Sequence, residues 1–189
     1  MFLPLQNKPK SMILDPSRFV VEVPNLIDRN VATQLKEFAL NTELSGLHRR
    51  GSKNPDFCYA SFYTCLVFPN NSPIYELLDP AWQTFCEERK PNINFIEPYE
   101  IKSYVVNDIF GPHTDILVSE DETLKRKVNL VVQLSDEAEY EGGDLMVGTY
   151  QCSRKLGTGI FFPAMAEHSV TEITAGTRFS LIGHAWGPI

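Results

Sequence analysis

The stretch His168-Ser-Val-Thr-Glu-Ile-Thr-Ala-Gly-Thr-Arg178-Phe-Ser-Leu-Ile-Gly-His184 decides the fold. Two short runs rich in β-branched and aromatic residues, 168–173 and 177–184, flank turn-forming residues and are too short to show a helical period. Going back along the chain, residues 159–162, 144–148, 127–134 and 95–106 have the same character, with turn signals between them. Several short strands in succession predict a sandwich or barrel. If Thr174-Ala175-Gly176 is a three-residue hairpin turn with the glycine left-handed, Ile173 opposes Thr177 and His168 opposes Ile182. His168, Arg178 and Ser180 then share one face, although a bulge would shift that register.

The first 94 residues read differently. Residues 1–17 hold three prolines and little periodicity, and residues 19–23 read as a strand ending at Pro24. Asp28 or Asn30 can cap a helix carrying Val31, Leu35, Phe38 and Ala39 at helical spacing. A polar loop over 48–56 leads to an apolar strand over 60–68. A second helix is expected over about 72–89, with Tyr75, Leu78, Trp82, Phe85 and Cys86 near one face, Pro80 kinking or splitting it and Pro91 closing it. The expectation is one domain over 1–189: a strand and supporting helices over about 18–94, and a β core over about 95–187.

Composition narrows the function. The 189 residues carry 17 Lys+Arg against 24 Asp+Glu, a net charge of −7, and 43% are hydrophobic. That apolar content is incompatible with disorder, and the acidic balance argues against nucleic acid as a partner. The short clusters Arg49-Arg50 and Lys125-Arg126-Lys127 read as solvated loops. Cys58, Cys65, Cys86 and Cys152 show neither a CxxC pair nor regular spacing, which points to a reducing, cytoplasmic setting. The longest apolar stretch, 159–166, is interrupted by Pro163 and is too short to span a bilayer, so no membrane association is expected.

Of the four histidines, His48, His113, His168 and His184, two have telling neighbours. Asp115 follows His113 by two, and in a strand such residues point to the same side, so an imidazole and a carboxylate can meet one ion. Alone, His-x-Asp is a common coincidence, and a lone histidine in an apolar strand is more often simply packed. Together, two His and one Asp form the facial triad of non-haem Fe(II) oxygenases, which leaves coordination positions open for a chelating 2-oxo acid and dioxygen. A guanidinium and a hydroxyl, Arg178 and Ser180, suit the distal carboxylate of such an acid. Zinc is the competing metal, but the chain has no HExxH helix and no cysteine near the ligands.

The segments Tyr104-Val-Val-Asn-Asp-Ile-Phe-Gly-Pro-His113-Thr-Asp115, Arg126-Lys-Val-Asn-Leu-Val-Val-Gln-Leu-Ser135, Tyr140-Glu-Gly-Gly-Asp144-Leu, and Phe161-Phe-Pro163 through His168 to Gly176-Thr-Arg178-Phe-Ser180-Leu carry a resemblance. In order and spacing, over about Tyr99 to Trp186, the chain resembles the Fe(II)- and 2-oxoglutarate-dependent oxygenases, in their prolyl-4-hydroxylase-like branch. The resemblance implies a mostly β fold with N-terminal helices, its core a double-stranded β-helix of the jelly-roll or cupin kind. It implies His113, Asp115 and His168 as catalytic metal ligands, and Arg178 with Tyr104, and more weakly Ser180, as the 2-oxoglutarate site. It also implies Fe(II), 2-oxoglutarate and O2 as cofactor and co-substrates, with ascorbate as an optional reductant. Hydroxylation of a C–H bond, peptidyl-proline foremost, would be coupled to release of succinate and CO2.

Gly142-Gly143 reads as a structural turn. Asn129, Val131 and Gln133 form one face of a strand whose other face is Val128, Leu130, Val132 and Leu134, and the residues leave open which of them lines the pocket. Two features depart from the family pattern: His184 stands where relatives often place an aromatic residue, and no Arg or Lys follows Arg178, which disfavours a nucleic-acid substrate. The polar stretches 48–57 and 116–127 could be lids or plain connections, and Trp186, Tyr59 and Tyr63 could offer an aromatic surface, with core packing the commoner role. Two other readings stay open: a hydroxylase of a free amino acid or small metabolite, and a non-catalytic metal-binding β-sandwich. Oligomeric state is not legible.

Overall fold

The computed structural model describes residues 18–42, 47–52, 61–69 and 72–189, with 47–52 and 61–66 as backbone. Residues 53–57 and Tyr59, and the side chains of His48 and Tyr63, lie outside this description. In chain order the elements are β1 (Val21–Val23), α1 (Arg29–Asn41), β2 (Leu47–Ser52), β3 (Ser61–Val67), α2 (Ile74–Arg89), β4 (Phe95–Ile96), β5 (Glu100–Val105) and β6 (Phe110–His113). Then come β7 (Leu124–Gln133), β8 (Tyr140–Gly142), β9 (Leu145–Val147), β10 (Tyr150–Gln151), β11 (Gly159–Pro163), β12 (His168–Val170) and β13 (Ile173–Pro188).

Asp28 begins α1 by accepting a hydrogen bond from the Val31 amide at 2.8 Å, which settles the choice between the two candidate caps. Helix α2 runs through Pro80 without splitting and ends at Lys90, whose left-handed backbone (φ 51°) stops the helix just before Pro91. Among the described residues no helix is long and apolar enough to cross a membrane.

The strands follow the path β1-β11-β7-β13-β5-β3-β6-β12-β9-β10, with β2 on β3 and with β4 and β8 on β13. The path curls: β1 through β3 form one sheet, β6 through β10 form the facing one, and the Ser61–Phe110 pair joins them. This is the double-stranded β-helix, or jelly roll, expected from the sequence. Alternation along each central strand builds two layers of core. Outward from β7 and β13, Val128, Leu130, Val132, Leu134, Phe179, Leu181 and Ala185 pack with Leu78, Trp82 and Phe85 of α2 and with Ala32 and Ala39 of α1. Inward, Val131 and Ile182 join Tyr104, Leu145, Val147, Ile160, Phe162 and Val170 between the sheets. Each fully buried aliphatic or aromatic side chain in these layers contributes about 1.5–3 kcal/mol relative to exposure.

Three expectations are corrected. Residues 47–52 are not loop but strand β2, paired with β3 from Leu47–Leu66 to Ser52–Ser61. Lys125-Arg126-Lys127 is not a solvated loop: it opens β7, where Arg126 makes a bidentate ion pair with Glu97 at 2.6 and 3.0 Å. The 168/182 hairpin does not exist, because β12 pairs with β6 and β9 while β13 runs on from Ile173, pairing first with β8 and then with β5 and β7. Gly176 is indeed left-handed (φ 73°), but as an irregularity inside β13 where a Cβ would lie 2.0 Å from the Glu139 carbonyl oxygen. The Gly142-Gly143 pair is the tight β8–β9 turn expected: at Gly142 (φ 68°) a Cβ would meet the Glu172 carbonyl oxygen at 2.0 Å.

Candidate active site

A narrow cavity opens between the two sheets, and all six residues singled out in the sequence line it: Tyr104, His113, Asp115, His168, Arg178 and Ser180. Asn129, Val131, Ile182 and His184 complete the wall formed by β7 and β13, so the Asn129-Val131-Gln133 face points inward.

At one end stand His113, Asp115 and His168, whose ligand atoms lie within 4.8 Å of one another and can hold a metal ion. Strand β6 presents His113 directly across from His168 on β12. Asp115 lies just past the end of β6, anchored by its amide to the Ala164 carbonyl at 2.9 Å. His168 Nε2 is 3.1 Å from Asp115 Oδ2, and His113 Nε2 is 3.6 Å from Oδ1, beyond hydrogen-bond reach. The two Nδ1 atoms face the carbonyls of Gly111 at 2.8 Å and Ala166 at 3.0 Å. A carbonyl only accepts, so each Nδ1 carries the proton, which leaves each Nε2 as the nitrogen that faces a metal. Phe110 stacks on His113 with centroids 3.8 Å apart, and Phe162 meets His168 edge-on at 4.9 Å, fixing both rings.

The electrostatics suit a cation. Burial pushes the His113 imidazole down to about 4, neighbouring His168 adds to this, and the Gly111 carbonyl and Asp115 only partly oppose it. For Asp115, burial would raise the carboxyl, but the hydrogen bond and charge of His168, with His184 and Lys102, hold it well below the usual carboxylate range. The site therefore offers a neutral His113 imidazole and an ionised carboxylate over a wide pH span.

At the other end Arg178, 1% exposed, lies under the Tyr104 ring with its Cζ 5.5 Å from the centroid. Its hydrogen-bond partners are neutral: Gln133 Oε1 at 3.1 Å and Ser180 Oγ at 3.4 Å. Its Nε is buried without a hydrogen bond among the described residues. A buried guanidinium facing no carboxylate is costly, and it fits an anionic ligand entering the cavity. Gln133 is itself held by donating Nε2 to the Ser153 carbonyl at 2.9 Å.

Sequence reasoning missed Lys102, two residues from Tyr104 on β5 and only 8% exposed, whose Nζ lies 3.8 Å from Glu100 and 5.4 Å from the Phe110 ring centre. Period-two spacing from Tyr104 could have found it. It also left Asn129 and Gln133 undecided, although polar residues spaced four apart in an apolar strand were the available signal. His184 is a pocket residue outside the triad; burial pushes its imidazole down to about 3. Trp186 stacks on Phe95 at 5.9 Å and donates to Glu97, which makes it a packing residue. Within 116–127, residues 124–127 belong to β7 and a Val118–Lys125 bridge extends that ladder toward the loop.

Residues 99–186 match the profile of the 2OG-Fe(II) oxygenase superfamily. A PKHD-type hydroxylase of Caulobacter sp. (strain K31) is 37% identical over 83 residues, 40% of this chain and 37% of that protein, so the match spans well under half of that relative's length. Among solved structures, a Pseudomonas putida prolyl-4-hydroxylase superposes with a TM-score of 0.69 at 12% identity, over 90% of this chain and 93% of that one. A Trichoplax adhaerens prolyl hydroxylase, in complex with a hypoxia inducible factor oxygen degradation domain peptide fragment, gives 0.66 at 13% identity, covering 88% and 82%. These likenesses establish the jelly roll, and the profile match falls on the strands that carry the triad and Arg178. Residues 99–186 of this chain belong to the 2OG-Fe(II) oxygenase superfamily.

Proposed function

We propose that this protein is an Fe(II)- and 2-oxoglutarate-dependent dioxygenase that hydroxylates an unactivated C–H bond, with peptidyl-proline as its target. The observation that carries this reading is the union of two unlike ends in one cavity: three side chains able to hold a cation, and a buried guanidinium lacking a carboxylate partner among the described residues. When bound, iron and 2-oxoglutarate supply the oxidising power from dioxygen, with release of succinate and CO2.

The chain's own residues bind and orient. His113, Asp115 and His168 hold the ion, the two imidazoles kept in register by the Gly111 and Ala166 carbonyls. Arg178, with Ser180 beside it, takes the distal carboxylate of the co-substrate, and Gln133 keeps the guanidinium aimed. Tyr104, Val131, Leu145, Phe162 and Ile182 give the cavity apolar walls that exclude water from the oxidant. The peptide target is supported by the likeness to the Trichoplax enzyme with its bound peptide and by the prolyl-hydroxylase neighbours.

The test is succinate formation from 2-oxoglutarate by iron-loaded protein in air with ascorbate, with and without proline-rich peptides or free amino acids, against His113→Ala. Peptide-stimulated succinate together with a 16-dalton gain on proline is the expected result. Stimulation only by free amino acids would replace the peptide target with a small metabolite. Iron binding without succinate under any condition would overturn the oxygenase reading in favour of a non-catalytic binder.

A further inference from the structure

A hydrogen-bonded chain runs from the metal-site carboxylate into the wall of the cavity. Asn129 Nδ2 donates to Asp115 Oδ2 at 2.8 Å, and Asn129 Oδ1 lies 2.9 Å from His184 Nδ1. The three residues come from separate elements: Asp115 follows β6, while Asn129 and His184 are cross-strand partners on β7 and β13. Asn129 is 1% exposed and His184 6% exposed, so solvent does not substitute for these contacts.

The chemistry fixes the direction of every bond. An ionised carboxylate only accepts, so the amide must turn its NH2 toward Asp115, which turns its carbonyl oxygen toward His184. That oxygen in turn requires a proton on His184 Nδ1, leaving Nε2 as the acceptor nitrogen. Without the imidazole donor, the amide could flip and set its oxygen against the carboxylate. We propose that Asn129 and His184 act as a coupled pair of positioning residues: Asn129 holds one oxygen of Asp115 so that the carboxylate meets the metal in a single orientation, and His184 keeps the Asn129 amide from flipping. A carboxylate held in this way is kept from offering both oxygens to the ion, so a coordination position stays open for ligands entering the cavity. The inference rests on His113, Asp115 and His168 being the metal site.

The test is Mn(II) titration of metal-free full-length protein, followed by the EPR signal of free Mn(II), with thermal melts to show that each variant folds. Wild type should bind one ion and Asp115→Ala should bind none; a wild type that binds no ion would fail the metal-site reading itself. Asn129→Leu should weaken Mn(II) binding roughly 10–100-fold, the usual cost of losing such a partner. His184→Phe, which fills the space without a donor, should weaken it about 10-fold. His184→Asn, which restores an N–H near the Nδ1 position, should return binding to within about threefold of wild type. The double variant Asn129→Leu/His184→Phe should bind no more weakly than Asn129→Leu alone, since the two act through one bond. Folded His184→Phe binding as tightly as wild type, failure of His184→Asn to rescue, or losses that simply add would each overturn the proposal, and the His184 pair keeps it testable should Asn129→Leu not fold.

Discussion

The two faces of β7 and β13 share one backbone ladder and have opposite characters. Outward, Leu130, Val132, Leu134 and Leu181 are at most 1% exposed and wholly apolar, and they weld the sheet to the helices. Inward, Asn129, Gln133, Arg178, Ser180 and His184 are at most 6% exposed, yet polar or charged. Burying polar groups is unfavourable unless each is satisfied, and here most find partners: Asn129 on Asp115 and His184, Gln133 on Ser153 and Arg178. One face accounts for why the sheet holds. The other costs stability, which the proposed ligand of complementary charge would offset.

The contrast can be broken at either face, and the largest effect belongs to the inner one. His113→Ala or Asp115→Ala should drop 2-oxoglutarate turnover to background while circular dichroism stays that of the wild type; residual turnover above a tenth of wild type would end the triad assignment. Arg178→Ala should raise the 2-oxoglutarate concentration needed for half-maximal turnover roughly 10–100-fold, as expected for losing a charge-assisted hydrogen bond worth about 1.5–3 kcal/mol. An unchanged requirement would place the distal carboxylate elsewhere.

On the outer face, Leu130→Ala removes a fully buried side chain and should cost about 2–5 kcal/mol in urea unfolding. The 2-oxoglutarate requirement of the remaining folded protein should be unchanged. A shift in that requirement with little loss of stability would mean that the two faces are not separable.

A further effect is in acid. With folded values near 4 for His113 and near 3 for His184, the unfolded chain, where an imidazole titrates near 6.5, takes up protons that the folded chain refuses. The stability of the metal-free protein should be full above about pH 6.5 and fall progressively toward pH 4. Melting temperatures in a chelator-containing buffer series would show it, and a flat profile over that window would contradict the buried, neutral state of both rings. Bound metal should add stability at neutral pH and make the loss in acid steeper, since it too requires neutral imidazoles and protons compete with it.

Much of this was legible in the residues, unevenly. Short β-rich runs between turn signals foretold the strands, and the Asp28 cap and the Leu78, Trp82, Phe85 spacing foretold the helices, because those signals are local. The sequence puts His168, Arg178 and Ser180 on one face through a hairpin that does not form: His168 reaches the cavity by pairing with β6, and Arg178 by pairing with Tyr104 on β5. The three residues line one cavity by a route the hairpin does not give, because strand partnership depends on contacts distant in sequence. Strand β2 is illegible in the sequence for a related reason: Leu-His-Arg-Arg-Gly-Ser has no strand propensity of its own and is extended only because β3 lies alongside.

By itself the sequence determined the inventory: a chain able to bury a core, helices before strands, and His113-x-Asp115, His168 and Arg178 in an order that resembles the 2OG-Fe(II) oxygenases. Only the tertiary structure decided which face of β7 looks into the cavity, that Lys102, Asn129 and His184 line it, and that Arg178 is buried facing neutral partners. Periodicity says that alternate residues share a side of a strand. Which side is inside is settled by how the sheet curls and where the helices dock, and those are properties of the whole chain.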